Sequence, residues 1–471
     1  MNVEQIYTGC LSQGAYFIHS EGEAVIIDPL REVTPYVQKA KKAGVKIKYI
    51  FETHFHADFV SGHLTLSKQT GATIVYGPTA EPSFGAHIAK DGEEFKVGKL
   101  TFRALHTPGH TMESTTYLLL DEEGNEKAIF TGDTLFLGDV GRPDLAQKGA
   151  DLTIEDLAGY SYDSLRNKIM PLPDHIMVYP AHGAGSACGK NMMKETEDTL
   201  GNQKKMNYAL RADMTKEEFI AEVTDGLTTP PAYFPLNVKL NKEGYEDINT
   251  VLSSGLQALS PDAFEAIANE SGALLLDVRT KEIFAAEHLP NSIFIGLEGG
   301  FAPWVGELIK DIAQPILLIA PEGKEKEAIT RLSRVGFDAT IGYLEGGLAA
   351  WKAAGKETDK IEQLSADAFA ERQKNEKEIA VFDVRKPNEY QSEHVEIAEN
   401  TPLSELNDHL GKFPKEKPFY VHCASGYRSM IASSILKSRG FHNLIEIIGG
   451  FKAIQQTTVP TTAFVCPSTL K

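Results

Sequence analysis

The chain has 471 residues, and its 47 Lys and Arg against 65 Asp and Glu give a formal net charge of −18. Such an acidic chain repels nucleic acid and anionic lipid, so neither is an expected partner. Hydrophobic residues make up 42% and charged residues 24%, which is typical of globular proteins and excludes wholesale disorder. No apolar run approaches the length of about 18 residues that a membrane-spanning helix needs. The length predicts about two to four domains.

Four cysteines are too few for a disulfide framework in a chain of this length, so we expect a reducing compartment. The N-terminal residues lack the basic and apolar regions of a signal peptide and the Arg-rich character of a transit peptide. We therefore expect a cytoplasmic protein. On base rates we also expect a homodimer or a higher homo-oligomer.

Residues 1–250 alternate short apolar runs with helical patterns over 34–42 and 192–208. Two mixed sheets covered by helices would satisfy this alternation. The Pro-rich stretch 228–235 after them predicts an extended linker. The predicted strands are Ala15–Ile18, Ala24–Ile27, Ile47–Phe51, Thr73–Tyr76, Thr101–Leu105, Thr116–Leu120, Ala128–Thr131 and Met177–Tyr179.

Potential metal ligands follow several of these strands. Imidazoles and carboxylates that converge from several loops are what a transition metal requires. A single His is more often a satisfied core residue, but a whole set in this order and context predicts a metal site. The candidates each lie at or just after an apolar run: His54, His56, Asp58, His110, Asp133 and His182.

This set resembles the H-x-H-x-D-H motif and the distant ligands of the metallo-β-lactamase-fold superfamily. The resemblance covers about residues 1–245 and implies an αββα sandwich. In the dinuclear zinc hydrolases of that superfamily, such as glyoxalase II, the His after the Asp holds a second metal. Phe59 occupies that position here and cannot ligate. The second site would keep only Asp58, His182 and the bridging Asp133, so a mononuclear site is favoured.

The mononuclear iron branch of the superfamily is the persulfide dioxygenases. Resemblance to that branch implies one Fe(II) per chain held by His54, His110 and Asp133, with zinc as the alternative metal. Two His and one carboxylate leave positions open for O2 and substrate. His56, Asp58 and His182 then lie beside the metal as supporting groups, a proton relay or further ligands. The candidate substrate-binding residues are Arg142, Tyr160 and Cys188.

The C-terminal half contains an internal repeat, which predicts two copies of one domain over residues 255–357 and 360–471. The sequence LLLDVR at 274–279 recurs as AVFDVR at 380–385, and Gly346-Gly347 recurs as Gly449-Gly450. Each copy alternates apolar strands with helical patterns, which predicts a doubly wound parallel sheet. In the second copy the strands are 379–383, 419–422 and 444–448, and a helix covers 430–438.

The second copy carries the loop C-A-S-G-Y-R between an apolar strand and the helix, so that Cys423 lies at the end of the strand. Loop N–H groups, the helix N-terminus and Arg428 would all favour a thiolate there. This C-x-x-G-x-R loop resembles the rhodanese family, which carries sulfane sulfur as a cysteine persulfide. The first copy has Ala320 and Glu325 at the positions of Cys423 and Arg428, so we expect it to be inactive.

The combined resemblance is to persulfide dioxygenase–rhodanese fusions. It implies an oxidoreductase of sulfur metabolism and sulfide detoxification that acts on a small-molecule persulfide with O2. The rhodanese domain would then transfer sulfur, with sulfite or thiosulfate as partner. Two alternatives remain open: a dinuclear zinc thioesterase of the glyoxalase II type fused to a sulfurtransferase, and a non-enzymatic sulfur-relay protein.

Overall fold

The computed structural model describes residues 2–145, 152–227, 229–376 and 378–466. The chain divides into two compact units: residues 1–250 together with 330–338, and residues 251–329 together with 339–471. No helix in the described part of the chain is long and apolar enough to cross a membrane. The domain limits 1–250, 255–357 and 360–471 stay a prediction.

Twelve strands in the described part of the first unit form two six-stranded sheets, ordered β1-β2-β3-β4-β5-β6 and β12-β11-β10-β9-β8-β7. Both sheets are mixed, as predicted, and all eight predicted strands are present. The strands are β1 (Asn2–Thr8), β2 (Gln13–Ser20), β3 (Glu23–Ile27), β4 (Lys46–Phe51), β5 (Thr73–Tyr76), β6 (His87–Ile88), β7 (Glu94–Val97), β8 (Leu100–His106), β9 (Thr115–Leu120), β10 (Glu126–Gly132), β11 (Met177–Pro180) and β12 (Asp198–Thr199).

Alternate residues of each strand point to opposite sides of the sheet. The apolar residues on one side of each sheet form a shared core, so the two sheets pack face to face. The Tyr16 ring of β2 packs edge to face against Phe130 of the second sheet, and Ile18 and Phe102 belong to the same buried cluster. The outer faces are apolar as well and bury the helices that flank the sheets. The αββα sandwich is therefore confirmed. The helices of this unit are α1 (Thr34–Ala43), α2 (His63–Thr70), α3 (Ile154–Ser164), α4 (Leu200–Met206), α5 (Lys216–Thr224) and α6 (Phe234–Glu243).

Two local predictions fail in this unit. The helix predicted over 192–208 is confined to α4, because the Thr199 side chain accepts a hydrogen bond from the Asn202 N–H and caps the helix there. The stretch predicted as an extended linker contains the start of α6, with Pro235 in its first turn, where a missing N–H costs nothing. Thr228 itself lies outside the described residues.

The second unit contains two five-stranded parallel sheets with the same strand path, β13-β17-β16-β14-β15 and β18-β22-β21-β19-β20. This identity confirms the predicted repeat. The strands are β13 (Ala258–Leu259), β14 (Leu274–Asp277), β15 (Ile293–Phe294), β16 (Ile316–Ile319), β17 (Thr340–Leu344), β18 (Gln363–Leu364), β19 (Ala380–Asp383), β20 (Ala398–Asn400), β21 (Phe419–His422) and β22 (Leu444–Ile447).

Helices flank both parallel sheets, and the one after β21 begins three residues earlier than predicted, at Tyr427. A further helix, α7, follows α6 in the chain. The helices are α7 (Ile248–Gly255), α8 (Pro261–Ser271), α9 (Lys281–Ala286), α10 (Phe301–Leu308), α11 (Glu325–Ser333), α12 (Gly347–Ala353), α13 (Ala366–Asn375), α14 (Pro387–Ser392), α15 (Tyr427–Ser438) and α16 (Gly450–Ile454).

The repeated D-V-R sequence has the same structural role in both copies. Arg385 donates to both carboxylate oxygens of Asp383 and to the Glu393 carbonyl oxygen, the latter at 2.8 Å. Arg279 makes the same bonds to Asp277 and to a backbone carbonyl oxygen in the first copy. A buried, bidentate pair of this kind fixes the chain beyond the strand. The motif therefore belongs to the scaffold and carries no information about which copy is active.

Candidate metal centre and cysteine loop

Three of the predicted ligands converge in the first unit. His54, His110 and Asp133 follow β4, β8 and β10, and each offers a ligand atom within 4.8 Å of the other two. Asp133 Oδ2 lies 3.9 Å from His54 Nε2 and 3.4 Å from His110 Nε2. Ligands about 2.1 Å from one metal ion are separated by roughly 3 to 3.5 Å. The three atoms are therefore close to the spacing that a single ion requires.

Hydrogen bonds orient both imidazoles so that Nε2 carries the free lone pair. His110 Nδ1 lies 2.8 Å from the Arg142 carbonyl oxygen, which can only accept, so the proton is on Nδ1. His54 Nδ1 lies 2.9 Å from Thr53 Oγ1, whose own hydrogen bonds the Asp28 carboxylate. Such outer hydrogen bonds fix the tautomer and raise the basicity of a metal ligand.

The donor set fits a transition metal. Asp133 Oδ2 is buried and has no hydrogen-bond partner, which is costly unless a cation binds it. Burial opposes ionisation of Asp133, but His182 and His54 outweigh it and hold the pKa of Asp133 well below its usual value. Burial, with His56 alongside, lowers the pKa of His54 well below its usual value, so its imidazole is neutral. An ionised carboxylate and neutral imidazoles are the forms that bind metals.

Gly132 lets the Asp133 loop approach the His54 loop closely. It has a φ of 52°, in the left-handed region that favours glycine. A Cβ at this position would lie 2.5 Å from Thr53 Oγ1, which is far inside van der Waals contact. The Gly-Asp sequence is therefore needed to seat Asp133 beside the Thr53–His54 pair.

A second group of potential ligands lies beside the first. His182 Nδ1 lies 2.8 Å from Asp133 Oδ1, and its Nε2 lies 2.8 Å from Asp58 Oδ2. Although burial opposes protonation, the two carboxylates raise the pKa of His182 well above its usual value. Cys188 joins Asp58 and His182 in a buried triplet. The motif argument did not count this thiol as a donor, because only the fold brings it to the position opposite Asp58.

His56 turns away from Asp133 and toward a buried acidic pair. Its Nε2 lies 3.1 Å from Asp28 Oδ1 and 3.3 Å from Glu52 Oε2. Burial alone would lower the pKa of His56, but Asp28 and Glu52 outweigh it and raise that pKa to about 10. The buried Phe59 ring lies against the His56 ring, with centroids 4.3 Å apart. Sequence reasoning missed Asp28 and Glu52, although both lie at the ends of predicted strands.

Two of the predicted substrate-binding residues have different surroundings. The Arg142 guanidinium donates to both oxygens of Asp144, at 2.6 and 2.7 Å, and to the Ala187 carbonyl oxygen. This bonding, with the His110 contact of its backbone, favours a positioning role. Tyr160 lies in α3 with 40% of the residue exposed, and its neighbour Ser161 packs against Gly109 beside His110. Contact of either residue with substrate stays a prediction.

The cysteine loop of the second unit folds around its sulfur. Cys423 is buried at the end of β21, and the Gly426 N–H donates to its Sγ at 3.2 Å. Gly426 has a φ of 103°, so the tight loop predicted from the sequence does use unusual backbone angles there. The Phe451 N–H donates to the Cys423 carbonyl oxygen at 2.7 Å, which ties the loop to the start of α16.

Charged side chains surround this loop but are themselves paired. Arg428 forms a bidentate ion pair with Glu389 of α14, with bonds of 2.6 and 2.8 Å. Glu446 of β22 is buried and accepts a hydrogen bond from Ser429 Oγ at 2.6 Å. Burial, partly offset by Ser429 and Gln363, raises the pKa of Glu446 to about 7. The predicted cation Arg428 is therefore neutralised by Glu389, which the sequence analysis did not identify.

The matching loop of the first copy has no thiol and has Glu325 in place of Arg428, while its one lysine, Lys324, pairs with Glu327 at 2.9 Å. It runs from the end of β16 to the start of α11, with Ala320 in place of the cysteine. The Gly323 N–H donates to the carboxylate of Glu325 at 3.2 Å. The Glu325 carboxylate therefore accepts from a loop N–H that could otherwise bind an anion.

Comparison with known proteins places these sites in families. The model of the metallo-beta-lactamase superfamily matches residues 8–182, and the rhodanese-like domain model matches residues 260–354 and 365–457. A mitochondrial persulfide dioxygenase of Mus musculus is 31% identical over 210 residues, which cover 44% of this chain and 73% of that protein. The chain belongs to the metallo-beta-lactamase superfamily. Two rhodanese-like domains follow its metallo-beta-lactamase domain.

Relatives of the metallo-beta-lactamase domain include hydrolases as well as persulfide dioxygenases. A probable hydroxyacylglutathione hydrolase of Schizosaccharomyces pombe is 31% identical over 38% of this chain and 66% of its own length. The human mitochondrial persulfide dioxygenase is 34% identical over 34% of this chain and 59% of its own length. The chain thus spans less than two thirds of these first relatives. A metallo-beta-lactamase structure from Staphylococcus aureus is 30% identical, with a TM-score of 0.65, over 73% of this chain and 99% of that one.

Proposed function

We propose that the metallo-beta-lactamase domain is a non-haem iron persulfide dioxygenase. We propose further that the second rhodanese-like domain transfers sulfane sulfur through Cys423. The overall oxidation is R–S–SH + O2 + H2O → R–SH + sulfite + 2 H⁺. The observation that carries this proposal is the group of His54, His110 and Asp133 with its unpartnered Asp133 oxygen. A set of two His and one carboxylate is typical of non-haem Fe(II) oxygenases.

In this proposal the protein's own residues prepare the site. Thr53 and the Arg142 carbonyl hold Nε2 of His54 and His110 toward Asp133. His182 keeps a proton between two carboxylates, within reach of the ligand group. When bound, Fe(II) supplies the one-electron chemistry that O2 needs to react with a closed-shell sulfur anion.

The rhodanese step uses Cys423 as the nucleophile. The thiolate attacks the outer sulfur of thiosulfate, a sulfur–sulfur bond forms on Cys423, and sulfite leaves with the electron pair. In the reverse direction Cys423 takes the outer sulfur of the small-molecule persulfide and releases its thiol, and sulfite then accepts that sulfur, becomes thiosulfate and frees the Cys423 thiolate. The Gly426 N–H donates to Sγ and stabilises the anionic sulfur of either form. Sulfite is the product of the first reaction and the acceptor of the second, so fusion raises its effective concentration for transfer.

The decisive experiment measures O2 uptake by the iron-loaded full-length protein given a small-molecule persulfide, with sulfite and thiosulfate quantified. Asp133→Ala should abolish O2 uptake. Cys423→Ala should leave O2 uptake intact but abolish thiosulfate formation, whereas Cys466→Ser, at an exposed cysteine, should change neither. Absence of uptake with several persulfides, in protein that holds one iron, would refute the dioxygenase assignment.

A zinc thioesterase is the second candidate, and the buried Asp58, His182 and Cys188 triplet favours it. These residues offer the donors that a second ion would need, despite Phe59. This alternative predicts two zinc ions per chain and hydrolysis of a glutathione thioester. Metal analysis with both substrates distinguishes it from the dioxygenase, since a mononuclear iron enzyme has one ion and no thioesterase activity.

A further inference from the structure

The inactive rhodanese-like copy reaches the cysteine loop of the active one. Lys281, the first residue of α9, donates from Nζ to the Ser425 carbonyl oxygen at 3.3 Å. A Cβ built on Gly426 would lie 3.0 Å from the same Nζ. The ammonium group therefore lies directly against the peptide unit that joins Ser425 and Gly426.

That peptide unit has both of its polar ends in use. The Ser425 carbonyl oxygen accepts from Lys281, and the Gly426 N–H donates to Cys423 Sγ at 3.2 Å. In a planar trans peptide the oxygen and the hydrogen point in opposite directions. A cation that holds the oxygen therefore turns the hydrogen toward the sulfur, and it polarises the N–H that stabilises a negative sulfur.

Two further bonds hold the same edge of the first copy against α15. The Tyr427 hydroxyl donates to the Gly296 carbonyl oxygen at 2.8 Å. The Phe294 N–H donates to Ser434 Oγ at 3.0 Å, and the rings of Phe294 and Tyr427 pack edge to face. Lys281 therefore belongs to a copy whose β15 edge is held against α15 by these bonds.

The cation that the loop carries in its own sequence does not replace Lys281. Arg428 is bound to Glu389 in a bidentate pair, so its charge is largely compensated. We propose that Lys281 of the inactive copy is a positioning residue for sulfur transfer at Cys423, acting through the Ser425–Gly426 peptide. The inactive copy thereby completes the active site of its neighbour. The inference rests on the proposed sulfur transfer.

Other charged groups also face this loop and must be separated from Lys281 in a test. They are Glu282 on α9, Asp383 and Arg385 at β19, Glu389 on α14, His422 on β21, Arg428 on α15 and Glu446 on β22. Glu282 Oε1 lies 3.3 Å from Lys281 Nζ, but 70% of its side chain is exposed, so solvent weakens that pair. Glu446 is the buried competitor, because its Oε1 lies 3.7 Å from the Cβ position of Gly426. Any effect of Lys281 could pass through this acid instead of through the peptide.

The test follows alkylation of Cys423 by iodoacetamide in the full-length protein from pH 5 to 10, by mass spectrometry of the Cys423 peptide. Lys281→Met should shift the pH profile upward by about 0.5 to 1 unit, as expected for one nearby charge. Alkylation below the midpoint should then be about three to ten times slower. Lys281→Arg should restore the original profile. Lys352→Met, which removes a lysine of the same copy bonded to Glu287, should leave it unchanged.

Two outcomes would overturn the inference. One is a profile for Lys281→Met that superimposes on that of the original protein. The other is a shift that disappears in a Glu446→Gln background, because the lysine would then act through the acid. If Lys281→Met does not fold, Lys281→Gln tests the charge with a neutral donor in place. Alkylation needs no sulfur donor, so a shifted profile without thiosulfate turnover would refute only the proposed function.

Discussion

Thr53 provides the sharpest test of how the metal centre is built. Its hydroxyl donates to Asp28 Oδ2 at 2.9 Å and accepts from His54 Nδ1 at 2.9 Å. Thr53→Val keeps the shape of the side chain but leaves a buried N–H and a buried carboxylate oxygen without partners. Each unsatisfied group costs about 1 to 3 kcal/mol, so the metal-free unit should lose roughly 2 to 6 kcal/mol of unfolding free energy.

The same change should weaken metal binding, because His54 loses the bond that fixes its tautomer. Loss of such an outer partner costs about 10- to 100-fold in metal affinity. Metal affinity is measured by competition with a chelator, and stability by denaturant unfolding with and without metal. Thr116→Val is the matched control, since it removes a buried hydroxyl that bonds Thr107 and touches none of the three predicted ligands. Unchanged metal affinity in Thr53→Val would refute the role assigned to this hydrogen-bond chain.

Two further predictions concern stability. Gly132→Ala should destabilise the first unit by about 2 to 4 kcal/mol, because its Cβ would meet Thr53 at 2.5 Å. The control is Gly124→Ala, at a glycine that also has positive φ but has open space around it, and it should cost only about 1 kcal/mol. Equal melting temperatures of the two variants would contradict the packing argument. The pKa of Glu446 is raised from 4.5 to about 7, so the folded protein retains a proton that the unfolded chain releases, and stability should fall as pH rises between these values. Glu446→Gln should remove that decline and stabilise the second unit at pH 8 by on the order of 3 kcal/mol in thermal unfolding, whereas a parallel decline in both proteins would contradict it.

Much of the fold could be predicted because apolar periodicity and the repeat are local signals. The eight predicted strands of the first unit and the parallel sheets of the second are built from short apolar runs, which are recognisable in the sequence as buried strands. Short strands such as β6 and β12 were missed, since two residues carry no periodicity. The start of α6 was missed because Pro-rich sequence at the first turn of a helix is indistinguishable from a linker.

The candidate sites could be predicted only in part. The resemblance to the superfamily named His54, His110 and Asp133 together, and the structure brings them within ligand distance of one another; that they hold a metal stays a prediction. Cys188 beside Asp58, Glu389 on Arg428 and Lys281 on Ser425 depend on tertiary packing between segments far apart in the chain. No spacing rule brings such residues together, and each of them changes the charge balance that the motifs alone suggest.

The duplicated Asp–Arg pair has a consequence for protein engineering. The first copy has Ala320 in place of the cysteine, but it has the same Asp–Arg pair, Asp277 with Arg279, and the same strand order as the second copy. A six-residue replacement of 320–325 by C-A-S-G-Y-R would therefore place the cysteine loop on the same strand order, but without the lysine that the neighbouring copy supplies to Ser425. Such a chimaera would test whether the loop alone is enough to give the first copy sulfurtransferase activity. It would also tell how much of a catalyst is inherited scaffold and how much is the few atoms that perform the chemistry.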